Sequence, residues 1–164
     1  MRGAFVGATA RSGTRGFHAV GRLLAGMLAT LTLAACGAPS PTLTRLRSEA
    51  THICTLADRR LDAIRAPSAP SGGAAFLRGG LAVLAPELSE LRGLQAPSDT
   101  SAVYQAAIAA LAGEVKAIRY TVTALDQGLD PAIAMRDLRR RLAPFESAQD
   151  GAWQALDVPA CVAT

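Results

Sequence analysis

The sequence has few aromatic residues and few histidines. Aromatic residues make up 4% of the 164 residues, only one residue is Trp, and only 2 are His. No segment alternates apolar and polar residues with a period of two, so β-strands are not expected. The Cys-x-x-Cys-His, Gly-x-Gly-x-x-Gly and phosphate-loop patterns are also absent, which excludes the common haem, dinucleotide and nucleotide motifs. Half of the residues are apolar, so one sizeable core can form, and plentiful Ala, Leu and Arg favour helix.

The positive charge of the chain lies in its first quarter. The formal net charge is +4, from 17 basic and 13 acidic residues. Four arginines are the only charged residues before Cys36, namely Arg2, Arg11, Arg15 and Arg22. Without these four, 13 basic residues face 13 acidic ones. The rest of the chain is therefore neutral, and no nucleic-acid partner is expected for it.

An apolar segment, residues 23–34, follows the last of these arginines. It is shorter than the roughly 20 residues that cross a membrane, and its length is typical of the central part of a secretion signal. The segment ends in Leu33-Ala34-Ala35-Cys36, which resembles the lipobox of bacterial lipoproteins. The resemblance implies that residues 1–35 are a cleaved signal peptide, that Cys36 is the lipid attachment point, and that residues 36–41 are a tether.

The lipobox resemblance also predicts the location and one partner of the protein. Its domain would lie at the outer face of the cytoplasmic membrane or on the cell surface, held by the lipid anchor. An envelope protein is a further expected partner, and the oligomeric state stays open. The alternatives are an ordinary secreted protein and a retained short anchor. The basic part before the apolar segment is long, so translation starting at Val20 is a further hypothesis.

Residues 42–164 are expected to form one helical domain. Apolar residues recur there at spacings of three and four, in four stripes separated by short Pro- and Gly-containing connections. Short connections force neighbouring helices to run in opposite directions, which predicts an all-α, antiparallel up-and-down four-helix bundle. The four stripes are Leu43, Leu46, Ala50, Ile53, Ala57, Leu61 and Ile64; Leu77, Leu81, Leu84, Leu88 and Leu91; Tyr104, Ile108, Leu111, Val115, Ile118, Val122 and Leu125; and Met135, Leu138, Leu142, Phe145, Ala152 and Leu156.

Local signals predict where these helices begin, bend and end. Pro86 and Pro144 lie inside the second and fourth stripes, where loss of a backbone donor predicts a kink or a split. The expected N-caps are Thr42 or Thr44 for the first helix, Ser98 or Asp99 for the third and Asp130 for the fourth, and Gly128 is the expected end of the third.

Two cysteines remain once Cys36 is assigned to the lipid. Cys54 shares a helix face with Ala50 and Ala57 and is expected to point into the core. Cys161 follows the fourth helix, which in an up-and-down bundle ends beside the first. An exported chain can keep a disulfide between Cys54 and Cys161. Such a bridge closes a loop of about 100 residues, worth about 4–5 kcal/mol in the chain-entropy model. The alternative is two unpaired thiols.

A second resemblance covers most of the domain. Residues 49–64 contain one cysteine in the first helix, and residues 145–161 contain an aromatic residue, an Ala-rich turn, Leu and then Cys. This pattern is similar to that of small helical lipoproteins of high-GC actinobacteria, a group of unknown function. The resemblance therefore implies a helical lipoprotein and no particular activity.

The residues suited to chemistry are few. His52 lies on the flank of the first helix and is expected at the surface, and no catalytic residue, metal site or cofactor is expected. Arg136, Arg139 and Arg140, with the adjacent Arg141, form a cluster that indicates either an anion or lipid head-group site or a solvated helix face. Among the aromatic residues, Trp153 is expected in the core, and Tyr104 and Tyr120 at its edge with hydrated hydroxyls.

These observations favour a non-enzymatic, lipid-anchored binding, envelope-structural or accessory module. The alternative is a small-ligand carrier or sensor with a pocket between helices kinked at Pro86 and Pro144. A third hypothesis is an all-helical enzyme that combines the arginine cluster with Glu114 or Glu146. An enclosed pocket of a few hundred cubic ångströms lined by Arg and a carboxylate would favour the second or third hypothesis. A solid core with an exposed apolar patch would favour a protein partner.

Overall fold

The computed structural model describes residues 41–162. This part of the chain forms four α-helices, α1 (Leu43–Asp62), α2 (Gly73–Gly93), α3 (Ser101–Asp126) and α4 (Pro131–Ala155). Two short 3-10 helices are present as well: η1 (Pro70–Gly72) precedes α2 and η2 (Pro159–Cys161) follows α4. No strand occurs in these residues. The predicted all-α four-helix bundle is confirmed.

Contacts between side chains show that α2 and α3 are antiparallel to each other, as are α3 and α4. Tyr104 near the start of α3 packs edge-on against Trp153 near the end of α4, with ring centroids 5.8 Å apart. Further along α3, the guanidinium carbon of Arg141 lies 4.7 Å from the ring centroid of Tyr120. An ion pair between the side chains of Arg78 and Asp126 joins the start of α2 to the end of α3. The contacts therefore join opposite ends of neighbouring helices, as short connections require.

Side-chain caps mark two of the predicted helix starts. The hydroxyl of Thr42 accepts a hydrogen bond of 3.2 Å from the backbone N–H of Arg45, and the Asp130 carboxylate accepts from the first free N–H groups of α4. The prediction of Ser98 or Asp99 for α3 is wrong, because the N-cap is Thr100. A turn closed by the Thr100 N–H and the Pro97 carbonyl delays the helix start.

The end of α3 is marked by a glycine, as predicted. Gly128 has φ +89°, a left-handed conformation that glycine adopts without a steric penalty. Its N–H donates to the Leu125 carbonyl at 3.0 Å, and the next N–H donates back to Ala124. This arrangement satisfies carbonyl groups that the end of α3 leaves free.

Neither proline splits its helix. Both α2 and α4 continue without interruption, through Pro86 and Pro144 respectively. Each proline removes the hydrogen bond to the carbonyl four residues earlier, on Ala82 or Arg140. All four residues are exposed, so water can hydrate the freed carbonyls. Of the two predicted outcomes, a kink or a split, the split therefore does not occur.

The core consists of two clusters at different levels of the bundle. The larger surrounds Trp153 and includes buried residues of all four helices and of η2. The smaller, built on Leu77, Ile118 and Leu138, contains residues of α2, α3 and α4. The buried residues that α1 supplies to these clusters end at Cys54. We call the half of the bundle around Trp153 the upper half and the half around Leu138 the lower half. All four helices contribute to the core of the upper half, and three helices form the core of the lower half.

The three aromatic predictions have different outcomes. Trp153 is fully buried, as predicted. Tyr120, which was expected at the edge of the core, is 57% exposed. The prediction of a hydrated hydroxyl for Tyr104 is wrong, because this residue is 1% exposed and its hydroxyl donates to the Leu91 carbonyl. Leu91 lies in the last turn of α2, and its carbonyl also accepts a hydrogen bond of 3.1 Å from the Leu94 N–H. Tyr104 therefore binds the end of α2.

Candidate functional site

The bundle is open between α1 and α4. Within residues 41–162, α1 packs against α2 and η2, but no Cα atom of α1 lies within 8 Å of a Cα atom of α3 or α4. A cleft of about 520 Å³ occupies this open side. It is lined by residues of all four helices and of η2. We call it the α1/α4 cleft and treat it as the candidate functional site.

Five carboxylates line the α1/α4 cleft. Helical periodicity places them there, because each lies three or four residues from another residue that lines the cleft on the same helix. Glu87 follows Leu84 by three residues on α2, and Glu114 follows Leu111 by three residues on α3. The set consists of Asp58 and Asp62 on α1, Glu87 on α2, Glu114 on α3 and Glu146 on α4.

The remaining lining is apolar or neutral. Leu111 and Ile118 on α3 are buried at its floor, and Leu61, Leu84 and Leu142 are half-buried on its walls. The described residues that line the cleft include no Lys, Arg or His. The cleft therefore has an apolar floor, and the charged side chains among its described lining residues are all acidic.

Two of the carboxyl groups have strongly raised pKa values. Burial, and then the charges of Asp58, Glu114 and Glu90, raise the pKa of Glu87 from 4.5 to about 7. Burial raises the pKa of Glu114 to about 7 as well, with smaller contributions from Glu146 and Asp150.

The physical cause is the same for both groups. A carboxylate that leaves water without gaining a cationic partner is held more easily in its neutral form. The pKa of Asp58 is also raised, first by burial and then by Asp62. Near neutral pH Glu87 and Glu114 are therefore each partly protonated.

Gln149 on α4 presents an unsatisfied acceptor. It lines the α1/α4 cleft, and its Oε1 atom is buried with no hydrogen-bond partner. A buried amide oxygen without a donor costs about 1–3 kcal/mol relative to one that is hydrogen-bonded. An N–H or O–H group that enters the cleft would remove this cost.

The Cys54 and Cys161 sulfurs lie at one end of the cleft at bonding distance, as predicted, with their Cα atoms 5.2 Å apart. This pair joins η2 to the middle of α1. A second link lies nearer the start of α1, where Arg47 Nε donates a hydrogen bond of 2.7 Å to the Leu156 carbonyl. Asp157, with φ 57°, turns the chain from α4 toward η2. The C-terminal segment therefore fills the space between the upper parts of α1 and α4.

The arginine cluster does not form part of the cleft. Arg136, Arg139 and Arg140 are exposed and do not line it, and Arg140 pairs with Asp137 on its own helix. The structure therefore separates this cluster from Glu114 and Glu146, which the third hypothesis placed with it. His52 is exposed, as predicted.

A second, smaller groove lies between α3 and α4. It has a volume of about 360 Å³ and a mostly apolar lining that includes Lys116 and Arg141. The Phe145 ring covers Gly113 so closely that a Cβ atom at Gly113 would lie 2.5 Å from Cε1. The absence of a side chain at Gly113 thus lets Phe145 pack against α3.

The sequence contains one local signal for the α1/α4 cleft, at Glu87. Glu87 interrupts the apolar face formed by Leu84, Leu88 and Leu91, at spacings of three and four residues. A carboxylate on an apolar helix face is buried at a cost unless a partner or a cavity accommodates it. The sequence does not show which other residues face Glu87, because they come from three other helices.

The remaining predicted residues lie outside the part of the chain that the structure describes. These are the signal peptide 1–35, the lipid-attachment residue Cys36 and the tether as far as residue 40. Among residues 41–162, no helix is long and apolar enough to cross a membrane. The same residues contain no group of three or more His, Cys, Asp or Glu side chains suited to hold a metal ion.

The comparisons with known proteins give no relative. No family model matches the chain, and no curated protein or solved structure is significantly similar to it.

Proposed function

We propose that this chain is an exported, lipid-anchored binding module whose ligand site is the α1/α4 cleft. The proposed ligand is an organic cation with an apolar part. The proposal of export and of a lipid anchor rests on the basic start, the short apolar segment and the lipobox-like Leu33-Ala34-Ala35-Cys36. The tether would keep the bundle near the membrane, since the six residues between Cys36 and Leu43 span at most about 25 Å.

One observation carries the proposed ligand class: carboxylates from four helices face a cleft whose floor is apolar and whose lining includes no basic residue among those described. The two deepest carboxyl groups, Glu87 and Glu114, lose hydration without gaining a cation from the protein. A cationic group would stabilise their ionised forms, and an apolar part would cover Leu111 and Ile118. An ammonium N–H could also donate to Gln149 Oε1.

The cleft supports ligand binding over a purely structural role. A bundle that serves as a spacer needs a closed core, whereas here a volume of about 520 Å³ stays open beside α1. That volume is in the range of small-molecule sites, and the lining combines apolar side chains with five carboxyl groups and one amide. The cleft is open on one side and its described lining has no Arg, so it differs from the enclosed, Arg-lined pocket expected from the sequence. Its carboxylates and its apolar floor are what support the carrier or sensor alternative, with the site between α1 and α4.

A matched pair of probes tests the proposal. The amine 4-phenylbutylamine and the acid 4-phenylbutyrate share a phenyl group and an alkyl chain but carry opposite charges. We expect calorimetric titration of the full-length protein at pH 8 to show saturable binding of the amine, and at least tenfold weaker binding of the acid. Tenfold corresponds to about 1.4 kcal/mol, the scale of one partly solvated charge interaction.

Two variants and one further probe sharpen the result. Glu87→Gln/Glu114→Gln should weaken amine binding at least tenfold, while Glu49→Gln, which removes an exposed carboxylate paired with Arg45, should leave it unchanged. Spermine carries more positive charge but only short methylene chains and no ring, so it should bind more weakly at high salt than the phenyl amine. Equal binding of amine and acid, or amine binding that the double variant does not weaken, would overturn the proposal.

A further inference from the structure

We propose that the lower half of α1 moves against α4 under proton control, so that ionised carboxylates hold the cleft open and protonated ones let it close. This inference concerns regulation of the cleft assigned above as the ligand site, and in that sense it rests on the proposed function. The motion itself needs no ligand, and it is argued from the packing of α1, from the charges that line the cleft and from the groups that closure would cover.

The packing of α1 divides it into a fastened half and a free half. Its first half is linked to the C-terminal segment by Arg47 and by the Cys54–Cys161 pair. Of its last six residues, 57–62, only Ala57 is buried, and none belongs to the lower core cluster. Few buried contacts mean a low free energy for local motion. Because α1 is one continuous helix, its free half would move through a tilt of the whole helix about the Cys54 link.

Open space lies on both sides of the free half. The α1/α4 cleft borders it on one side. On the other, Leu61, Asp62 and Ile64 line a depression of about 340 Å³ with Phe76 and Gly80 of α2. Gly79 also meets Ile64, at 3.3 Å from where a Cβ atom would stand. The depression and the cleft therefore leave open space on two sides of the lower half of α1.

The charges that face Glu87 and Glu114 come from every helix that packs around them. Asp58 and Asp62 face them from α1, Glu90 lies on α2, and Glu146 and Asp150 lie on α4. The short elements η1 and η2 contain no charged residue. Like charges in a partly dry space repel each other. Ionisation therefore favours the arrangement with α1 far from α4.

Protonation reverses this preference within a physiological range of pH. The pKa values of Glu87 and Glu114 are raised to about 7, so both groups become neutral as the pH falls below 7. A neutral carboxyl also has an O–H donor, which could satisfy Gln149 Oε1. Closure would in addition cover the half-buried Leu61 and Leu142 on the two facing helices.

Distance measurements test the motion directly. Nitroxide labels are attached through encoded keto residues in place of Arg60 on α1 and Ala143 on α4, both exposed, which leaves the cysteines intact. We expect the distance between these labels in the full-length protein to shorten between pH 8.5 and 5.5, with a midpoint near pH 7. The ratio of closed to open forms should rise about tenfold for each group whose pKa differs by one unit between them.

Controls separate this motion from general loosening. Labels in place of Arg119 and Ala143, across the packed α3 and α4, should keep a constant distance. Glu87→Gln/Glu114→Gln should hold the short distance at every pH, and each single variant should reduce the response. A wild-type distance that does not change with pH overturns the inference, as does an unchanged response in the double variant.

The two proposals can fail separately. If the labels stay at a fixed distance while 4-phenylbutylamine still binds, the proton-controlled motion is wrong and the ligand site stands. If the distance responds to pH while neither probe binds, the motion stands and the proposed ligand is wrong. If both hold, binding of the amine at pH 7 should release protons into a weakly buffered solution.

Discussion

Glu114 on α3 and Glu87 on α2 face the same cleft, and the charge of Glu114 contributes to the raised pKa of Glu87. Burial is the larger cause for both groups. The pair is therefore destabilised when both groups are ionised and relieved when either binds a proton. The protonation of these two groups therefore changes both the free energy of unfolding and the charge of the cleft.

The first prediction is that the protein becomes more stable as the pH falls from 8 to 5. Both folded-state pKa values, about 7, lie above the ordinary value of 4.5, so the folded protein binds more protons in this range. We expect a gain of about 1–2 kcal/mol per group, less than full burial would give because both remain partly exposed. Urea unfolding at several pH values measures it.

The same experiment on variants identifies the groups responsible. Glu87→Gln/Glu114→Gln should be more stable than wild type at pH 8 and should lose most of the pH dependence between 5 and 8. Glu49→Gln should retain the wild-type dependence. Parallel curves for wild type and the double variant would contradict the assignment.

The second prediction concerns the bond between Cys54 and Cys161. The two residues are 107 positions apart, so removing the link should lower the free energy of unfolding by about 4–5 kcal/mol in the chain-entropy model. Denaturation of Cys54→Ala/Cys161→Ala measures this loss. Mass mapping under non-reducing conditions should find the two cysteine peptides joined, and two free thiols would refute the bridge.

The third prediction concerns the anchor. Cys36→Ala should release the protein from membranes into the medium, because the residue proposed to receive the lipid is gone. Cell fractionation and detection of the protein in each fraction measure the change. Cys54→Ala/Cys161→Ala should stay in the membrane fraction, which controls for loss of a cysteine as such. Retention of Cys36→Ala in the membrane would end the lipid-anchor hypothesis.

The fourth prediction compares two glycines in helices. Gly113→Ala places a Cβ atom against the Phe145 ring and should destabilise the fold by about 1 kcal/mol, because overpacking outweighs the better helix propensity of Ala. A Cβ atom at Gly151 meets nothing within 4 Å, so Gly151→Ala should stabilise by up to about 1 kcal/mol. Thermal unfolding of both variants tests this. Equal shifts for the two would show that Phe145 moves aside freely.

The helices could be predicted well from the sequence because the signals are local. The apolar spacings located all four, and Thr42, Asp130 and Gly128 marked ends that the structure has. The start of α3 was missed because the turn from Pro97 to Thr100 uses the backbone. The hydroxyl of Tyr104 was misplaced because its acceptor, the Leu91 carbonyl, belongs to another helix.

The candidate site was only partly predictable. The pairing of Cys54 with Cys161 followed from the expected topology, and Glu114 and Glu146 were noted as titratable groups. Their expected grouping with the arginines is wrong, because Arg136, Arg139 and Arg140 do not line the cleft. Glu87 has no sequence motif that marks it as a site residue. A helix face is encoded along one segment, but a cleft between four helices depends on how those helices are rotated and spaced.

The sequence by itself determined the all-helical class, the order of four helices and the presence of one cysteine pair in the domain, because periodicity, caps and residue counts are properties of single segments. Only the tertiary structure decided that α1 and α4 are not in contact and that carboxylates of all four helices line the cleft between them. The physical reason is the position of η2 and Trp153. The element η2 packs against both α1 and α4, and Trp153 fills the core beside it. With that space occupied, the backbones of α1 and α4 do not meet, and the cleft remains.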